Sequence, residues 1–148
     1  MIVVICCGGK KATKPMPAAE MYLGRYFKCC LSYARSIAKE KDIYIMSAKY
    51  GFMRTSKVIA PYDNTLDKAE SLTANMLQQQ ARALRIHNQS CVFIGGKPYR
   101  LLAAQVFKDF YAPFVEAPNG ILPSRDVSMP TRQAIMNQHH GTVPRRQQ

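Results

Sequence analysis

The apolar positions of the chain fall into two kinds of run. Residues 2–7, 43–48 and 90–94 are short, almost continuously apolar stretches with many β-branched or bulky side chains. A strand covered on both faces reads this way, because neither side needs polar positions. Between them, apolar residues recur at steps of three and four, the spacing of one helix face. Leu23, Phe27, Cys30, Ala34 and Ile37 mark a helix from Pro17 to about Lys41. Leu72, Met76, Ala83 and Leu84 mark a second from Ala69 to Ile86. Pro98 suits a first helical turn, and Leu101, Leu102, Ala104, Val106 and Phe107 continue it. Pro113 to Glu116 reads as a short fourth strand at an edge. This alternation predicts a single three-layer α/β domain over residues 1–138, with a mainly parallel sheet of about four strands. Asn119-Gly120 signals a turn, Pro130 to about Gln138 a short helix, and residues 139–148 a basic flexible tail.

The three strand ends are alike. The first leads into Cys7-Gly8-Gly9-Lys10-Lys11, the second into Ser47-Ala48-Lys49-Tyr50-Gly51, the third into Gly95-Gly96-Lys97-Pro98-Tyr99. Parallel α/β sheets bind ligands beyond the carboxyl ends of their strands, so these segments predict one shared cleft. Gly51 permits a positive φ. Residues 49–68 read as a long loop holding Lys49, Tyr50, Arg54, Lys57, Tyr62 and Asp63, and long loops in compact domains are usually functional. Aromatic rings among basic residues suit base stacking with phosphate contact.

Charge sharpens this expectation. Lys and Arg total 21 against 9 Asp and Glu, a net of +12 over 148 residues, which favours a polyanionic partner, DNA or a nucleotide. No apolar run approaches the ~20 residues of a membrane span. The first strand lacks a preceding basic region and meets glycines and lysines after about six residues, unlike a signal peptide. A cytoplasmic location is expected. Five cysteines with no CxxC, and three histidines, predict reduced core thiols, no metal and no cofactor.

The carboxylates are few. Glu40, Asp42, Asp67, Glu70 and Asp109 fall on predicted helix surfaces or ends. Asp63 and Glu20 are the candidate catalytic acids or bases, although Glu20 in a first helical turn also suits the helix dipole. A carboxylate near Lys49 and Tyr50 could stabilise an oxocarbenium-like centre, as in cleavage of a base–sugar bond. Lys10, Lys11, Ser47, Lys49, Tyr50, Gly51, Tyr62, Gly95, Gly96 and Tyr99 are the candidate nucleic-acid or nucleotide ligands. Ser47 has no histidine in a comparable loop, which argues against a hydrolase triad. The GxGxxG and GxxxxGK[ST] patterns are absent.

Four segments together resemble a small bacterial and phage domain family, the DUF6884 type. They are Cys7 to Lys11, Pro17 to Tyr22, Ile45 to Phe52 and Pro61 to Leu66. That family is distantly similar to the YaaA peroxide-stress proteins. The resemblance covers most of residues 1–110 and departs at Phe52, where an aliphatic residue is expected. It implies DNA association, and a likeness to base-processing glycosylase or transglycosylase systems. The matching positions are Lys10, Lys11, Glu20, Tyr22, Ser47, Lys49, Tyr50, Gly51, Tyr62 and Asp63. The function expected is a nucleic-acid-directed enzyme acting on the N-glycosidic bond of DNA or a nucleotide, a glycosylase- or transglycosylase-like hydrolase. A non-catalytic DNA-binding or host-interaction protein and a nucleotide-sensing module stay open beside it.

Overall fold

The structure, a computed structural model, describes residues 1–63 and 72–113. The expectations for the start of the second helix at Ala69, for residues 114–116 of the fourth strand, for the Asn119-Gly120 turn, for the helix at 130–138 and for the tail at 139–148 lie outside them.

Chain order runs β1 (Ile2–Cys6), β2 (Met16–Pro17), α1 (Ala18–Met21), α2 (Arg25–Ile37), β3 (Ile43–Ser47), β4 (Gly51–Arg54), β5 (Val58–Ile59), α3 (Ala74–Ala83), β6 (Cys91–Ile94), α4 (Lys97–Ala104) and β7 (Phe110–Tyr111). The domain is mixed α/β, with a five-stranded, mostly parallel sheet of order β4-β3-β1-β6-β7. β1 lies at the centre, parallel to β3 and β6, with Ile5 opposite both Ile45 and Ile94. β7 adds in parallel to β6, and β4 in antiparallel to β3.

The pleat explains why the strands carry no polar alternation. Val3, Ile5, Ile43, Ile45, Val92 and Ile94 pack with Phe27, Leu31, Ala34 and Ile37 of α2. Their sequence neighbours Ile2, Val4, Tyr44, Met46, Cys91 and Phe93 pack with Leu77 and Ala81 of α3 and Ala103 of α4. Both faces are dry, and each such side chain gains about 1.5–3 kcal/mol from burial before entropy is counted.

Four differences from the sequence reading have local causes. The helix expected over 17–41 breaks after Met21, because Ala12 N–H bonds to Met21 O (2.8 Å) and Leu23 N–H to Lys10 O (2.9 Å). Those bonds draw residues 21–23 against residues 10–12, and Leu23 is left exposed. The second helix is shorter and differently phased. Thr73 caps it by accepting from Met76 N–H, and Leu77 and Ala81 face inward while Met76 is 48% exposed. The stretch 49–68 is no plain loop, since 51–54 and 58–59 are strands. Finally, the last described strand is Phe110–Tyr111, with Pro113 beyond it, so the sheet has five strands rather than about four.

Candidate functional site

The carboxyl ends of β1 and β3 carry a cluster of hydroxyl groups. Ser47, the last residue of β3, is fully buried. Its Oγ accepts the backbone N–H groups of Lys49 and Tyr50, each at 3.1 Å. A serine oxygen has two lone pairs and one proton. With both lone pairs engaged, the Ser47 proton goes to Tyr62 Oη, 2.8 Å away. Tyr62 Oη also bonds to Tyr22 Oη at 2.6 Å. Ser47, Tyr62 and Tyr22 are thus joined in one hydrogen-bond chain. Burial pushes the Tyr22 phenol up to about 12 and is also the largest cause raising Tyr62. Both are neutral at physiological pH. As neutral phenols both can donate and accept hydrogen bonds.

The rings of this cluster meet lysines. Tyr50 and Tyr62 pack edge to face, centroids 5.4 Å apart. Lys11 Nζ lies 4.5 Å from the Tyr62 centroid and donates to Gly9 O at 3.2 Å. Lys49 and Lys57 Nζ lie 5.3 and 5.4 Å from the Tyr50 centroid. The salt bridges found among the described residues, Arg35–Glu40 and Lys41–Asp42, involve none of these lysines. On the other flank, Cys7 Sγ is 3.4 Å from Tyr99 Oη of α4. The Tyr99 phenol is also raised, first by burial and then by the neighbouring Cys7.

Gly51 closes the turn after β3. It has φ +72°, and a Cβ there would stand 2.3 Å from Gln80 Oε1. That side chain, reaching over from α3, accepts Phe52 N–H (2.6 Å) and donates to Tyr50 O (2.8 Å). β4 is an edge strand, so Gln80 occupies an amide that would otherwise face outward. Nothing in the sequence reading singles out Gln80. Its position three residues after Leu77 and one before Ala81, the buried face of α3, is the signal that would have found it.

Of the sequence candidates, Lys11, Ser47, Lys49, Tyr50, Gly51 and Tyr62 come together at this strand end, and Tyr99 approaches through Cys7. Lys10 is exposed beside them. Asp63 follows Tyr62 directly and is exposed. Gly95 is buried against Cys6: a Cβ would fall 2.2 Å from Cys6 Sγ. Gly96 caps the start of α4 and its amide bonds to Cys6. Both glycines thus have packing roles of their own. Glu20 is exposed on α1 and lines a surface cavity with Tyr22, Lys28, Ser32 and Arg35. Among the described residues no group of three or more His, Cys, Asp or Glu side chains is placed to hold a metal ion, and no helix is long and apolar enough to cross a membrane.

No curated protein and no solved structure matches the chain. The model of a family of unknown function, DUF6884, matches residues 2–120, and the chain belongs to that family.

Proposed function

We propose that this protein is a nucleic-acid-directed enzyme acting on the base–sugar bond of DNA or a nucleotide at the strand-end cluster. The observation that carries the reading is the pair of tyrosine rings, Tyr50 and Tyr62, flanked by three ammonium groups that share no salt bridge with a described carboxylate. A base stacked on such a ring gains about 1–3 kcal/mol, and Lys11, Lys49 and Lys57 then meet the adjoining phosphates. The Ser47–Tyr62–Tyr22 chain holds the platform rigid. Asp63 is the carboxylate assigned to stabilise positive charge developing on the sugar or to activate water. Glu20, on its own cavity, takes no part.

The same reading brings a three-layer architecture, supported by the core clusters on either face of the sheet. It also brings a reducing, cytoplasmic setting, supported by five free thiols. DNA is taken as the partner on the net charge of +12. One observation favours binding without turnover: the hydroxyls of Ser47, Tyr62 and Tyr22 are spent on one another, which leaves chemistry to a single exposed carboxylate.

Incubation with single- and double-stranded DNA, normal and base-modified, followed by mass spectrometry for released bases, decides between them. Base release that disappears in Asp63→Asn, with binding and melting temperature kept, supports the enzyme. Binding with no product on any substrate supports the non-catalytic reading. A loss of fold stability in Asp63→Asn that matches its loss of turnover removes Asp63 from the chemistry.

A further inference from the structure

The amino-terminal ends of β6 and β7 lie at the opposite end of the sheet from the tyrosine cluster. There a cavity of about 630 Å³ opens between the last turns of α3 and α4. Its size falls within the ~300–1,000 Å³ typical of small-molecule sites. Arg82, His87 and Lys108 line it, with Asn88 as a neutral amide and Phe107 at its apolar floor, and no acidic residue is among the lining.

Two helix ends meet here, and unpaired helix carbonyls would favour a cation. Most of those carbonyls are already occupied. Leu84 N–H bonds to Gln80 O, Arg85 N–H to Arg82 O, and Ile86 N–H to Ala81 O at the end of α3. At the end of α4, Val106 and Phe107 N–H bond to Ala103 O, and Gln105 Nε2 donates to Leu101 O. Gln78 Nε2 donates to the Gln105 carbonyl beyond. The charged groups left to the cavity are therefore donors.

His87 adds an independent indication. Its Nδ1 is buried with no hydrogen-bond partner. A proton placed on Nδ1 would be an unpaired buried donor, which costs more than an unpaired acceptor lone pair. Nε2 is accordingly the ring nitrogen left to carry an N–H.

The geometry points to a second binding site in this cavity, for a phosphate group. The Arg82 guanidinium would supply the paired donors that phosphate recognition uses, and Lys108, His87 Nε2 and Asn88 the remaining ones. The site does not depend on the reading of the tyrosine cluster, with which it shares no residue. The phosphate belongs either to a free small molecule or to a nucleic-acid backbone, and the test separates these sources.

The full chain is titrated calorimetrically at constant ionic strength with inorganic phosphate, with a nucleoside monophosphate, and with a short single-stranded oligonucleotide lacking terminal phosphate. Saturable binding of a probe that falls about tenfold or more in Arg82→Ser, the weight of one charge-assisted contact, supports the site. Lys39→Ser, at an exposed lysine that lines neither site, is expected to leave phosphate binding unchanged. A small phosphate that the oligonucleotide fails to displace identifies a free metabolite as the source, and displacement identifies the backbone. Lys108→Ser serves as the second variant, and both altered side chains are exposed, so the fold is expected to survive. Absence of saturable binding by all three probes overturns the proposal, as does binding that neither Arg82→Ser nor Lys108→Ser weakens.

Discussion

Replacing Gln80 by alanine tests how the turn that carries Tyr50 is held. The side chain makes two hydrogen bonds to main-chain groups of the β3–β4 hairpin, at 2.6 and 2.8 Å. A neutral hydrogen bond is worth about 1 kcal/mol net, and a buried partner left unpaired raises the cost to about 1–3 kcal/mol. Phe52 is almost fully buried, whereas Tyr50 is only partly so, and its carbonyl can recruit water. The loss is therefore nearer 2.5 than 5 kcal/mol, by order of magnitude. Alanine returns a few tenths through its better helix propensity, which leaves about 2 kcal/mol. For a domain of this size that lowers Tm by about 4–8 °C. Gln79 is exposed in the same helix, and Gln79→Ala should stay within about 0.5 kcal/mol of the parent. Gln80→Glu keeps an acceptor for Phe52 N–H but sets a carboxylate oxygen against Tyr50 O, so it should melt no higher than Gln80→Ala. Thermal and urea unfolding of the four proteins measure this. Equal melting of the Gln79 and Gln80 alanine variants would refute the reasoning.

Three further outcomes are expected. Gly95→Ala should cost about 1–3 kcal/mol through overpacking, and adding Cys6→Ala should recover part of it, since Cys6 Sγ is the atom met; strict additivity in the double-variant cycle would contradict the contact. Against a small disulfide reagent, Cys7 and Cys29 are partly exposed and should react first, followed on unfolding by buried Cys6, Cys30 and Cys91; burial pushes the Cys30 thiol up to about 12 and raises the other two as well, and peptide mapping of the labelled sites reads the order. Arg35 holds the Glu40 carboxyl below its usual 4.5, so this pair's contribution is fully present above that pH and is lost as pH falls through the lower folded value; because both groups are about half exposed, Glu40→Gln should cost less than about 1 kcal/mol at pH 7 and flatten the acid limb of stability between pH 5 and 3.

The three central strands were legible because burial on both faces leaves an unbroken apolar run that little else produces. β4 was hidden by its brevity and by its neighbours. Gly51-Phe52-Met53-Arg54 is too short to show a period, and the lysines and tyrosines around it read as loop. The clue present was Gly51 just beyond the strand end, since glycine closes a tight reversal at a left-handed φ; its positive φ was anticipated, but its use in closing a hairpin was not. The phase of α3 was misjudged because Met76, Ala83 and Leu84 are as apolar as Leu77 and Ala81, and only the tertiary partner decides which stripe is buried. At the site, Ser47, Tyr50 and Tyr62 were legible as strand-end residues. The extension of their hydrogen-bond chain to Tyr22 was not, because it depends on residues 10–12 pairing with 21–23. Glu20 and Asp63 look equivalent on residue type, and only the fold shows Glu20 on α1 beside a cavity that Tyr22 also lines.

The small ladder of β2 and β5 has a consequence for motion. It joins Met16 to Ile59 and Pro17 to Val58, and is extended by Ala18 N–H to Lys57 O and Ala19 N–H to Thr55 O. A two-stranded ladder of this length has little stability of its own, and Val58 is 65% exposed. Ala18, Met21 and Tyr22 on the inner side of the ladder are buried in the core, so its outer side, residues 57–62, is the flap expected to open first. Opening separates Tyr62 and Lys57 from Tyr22 and Lys11 together. The site is complete only when the flap is shut, and a ligand that binds the shut form must slow hydrogen exchange at Ala18 and Ala19 while leaving β1 and β3, already protected, unchanged.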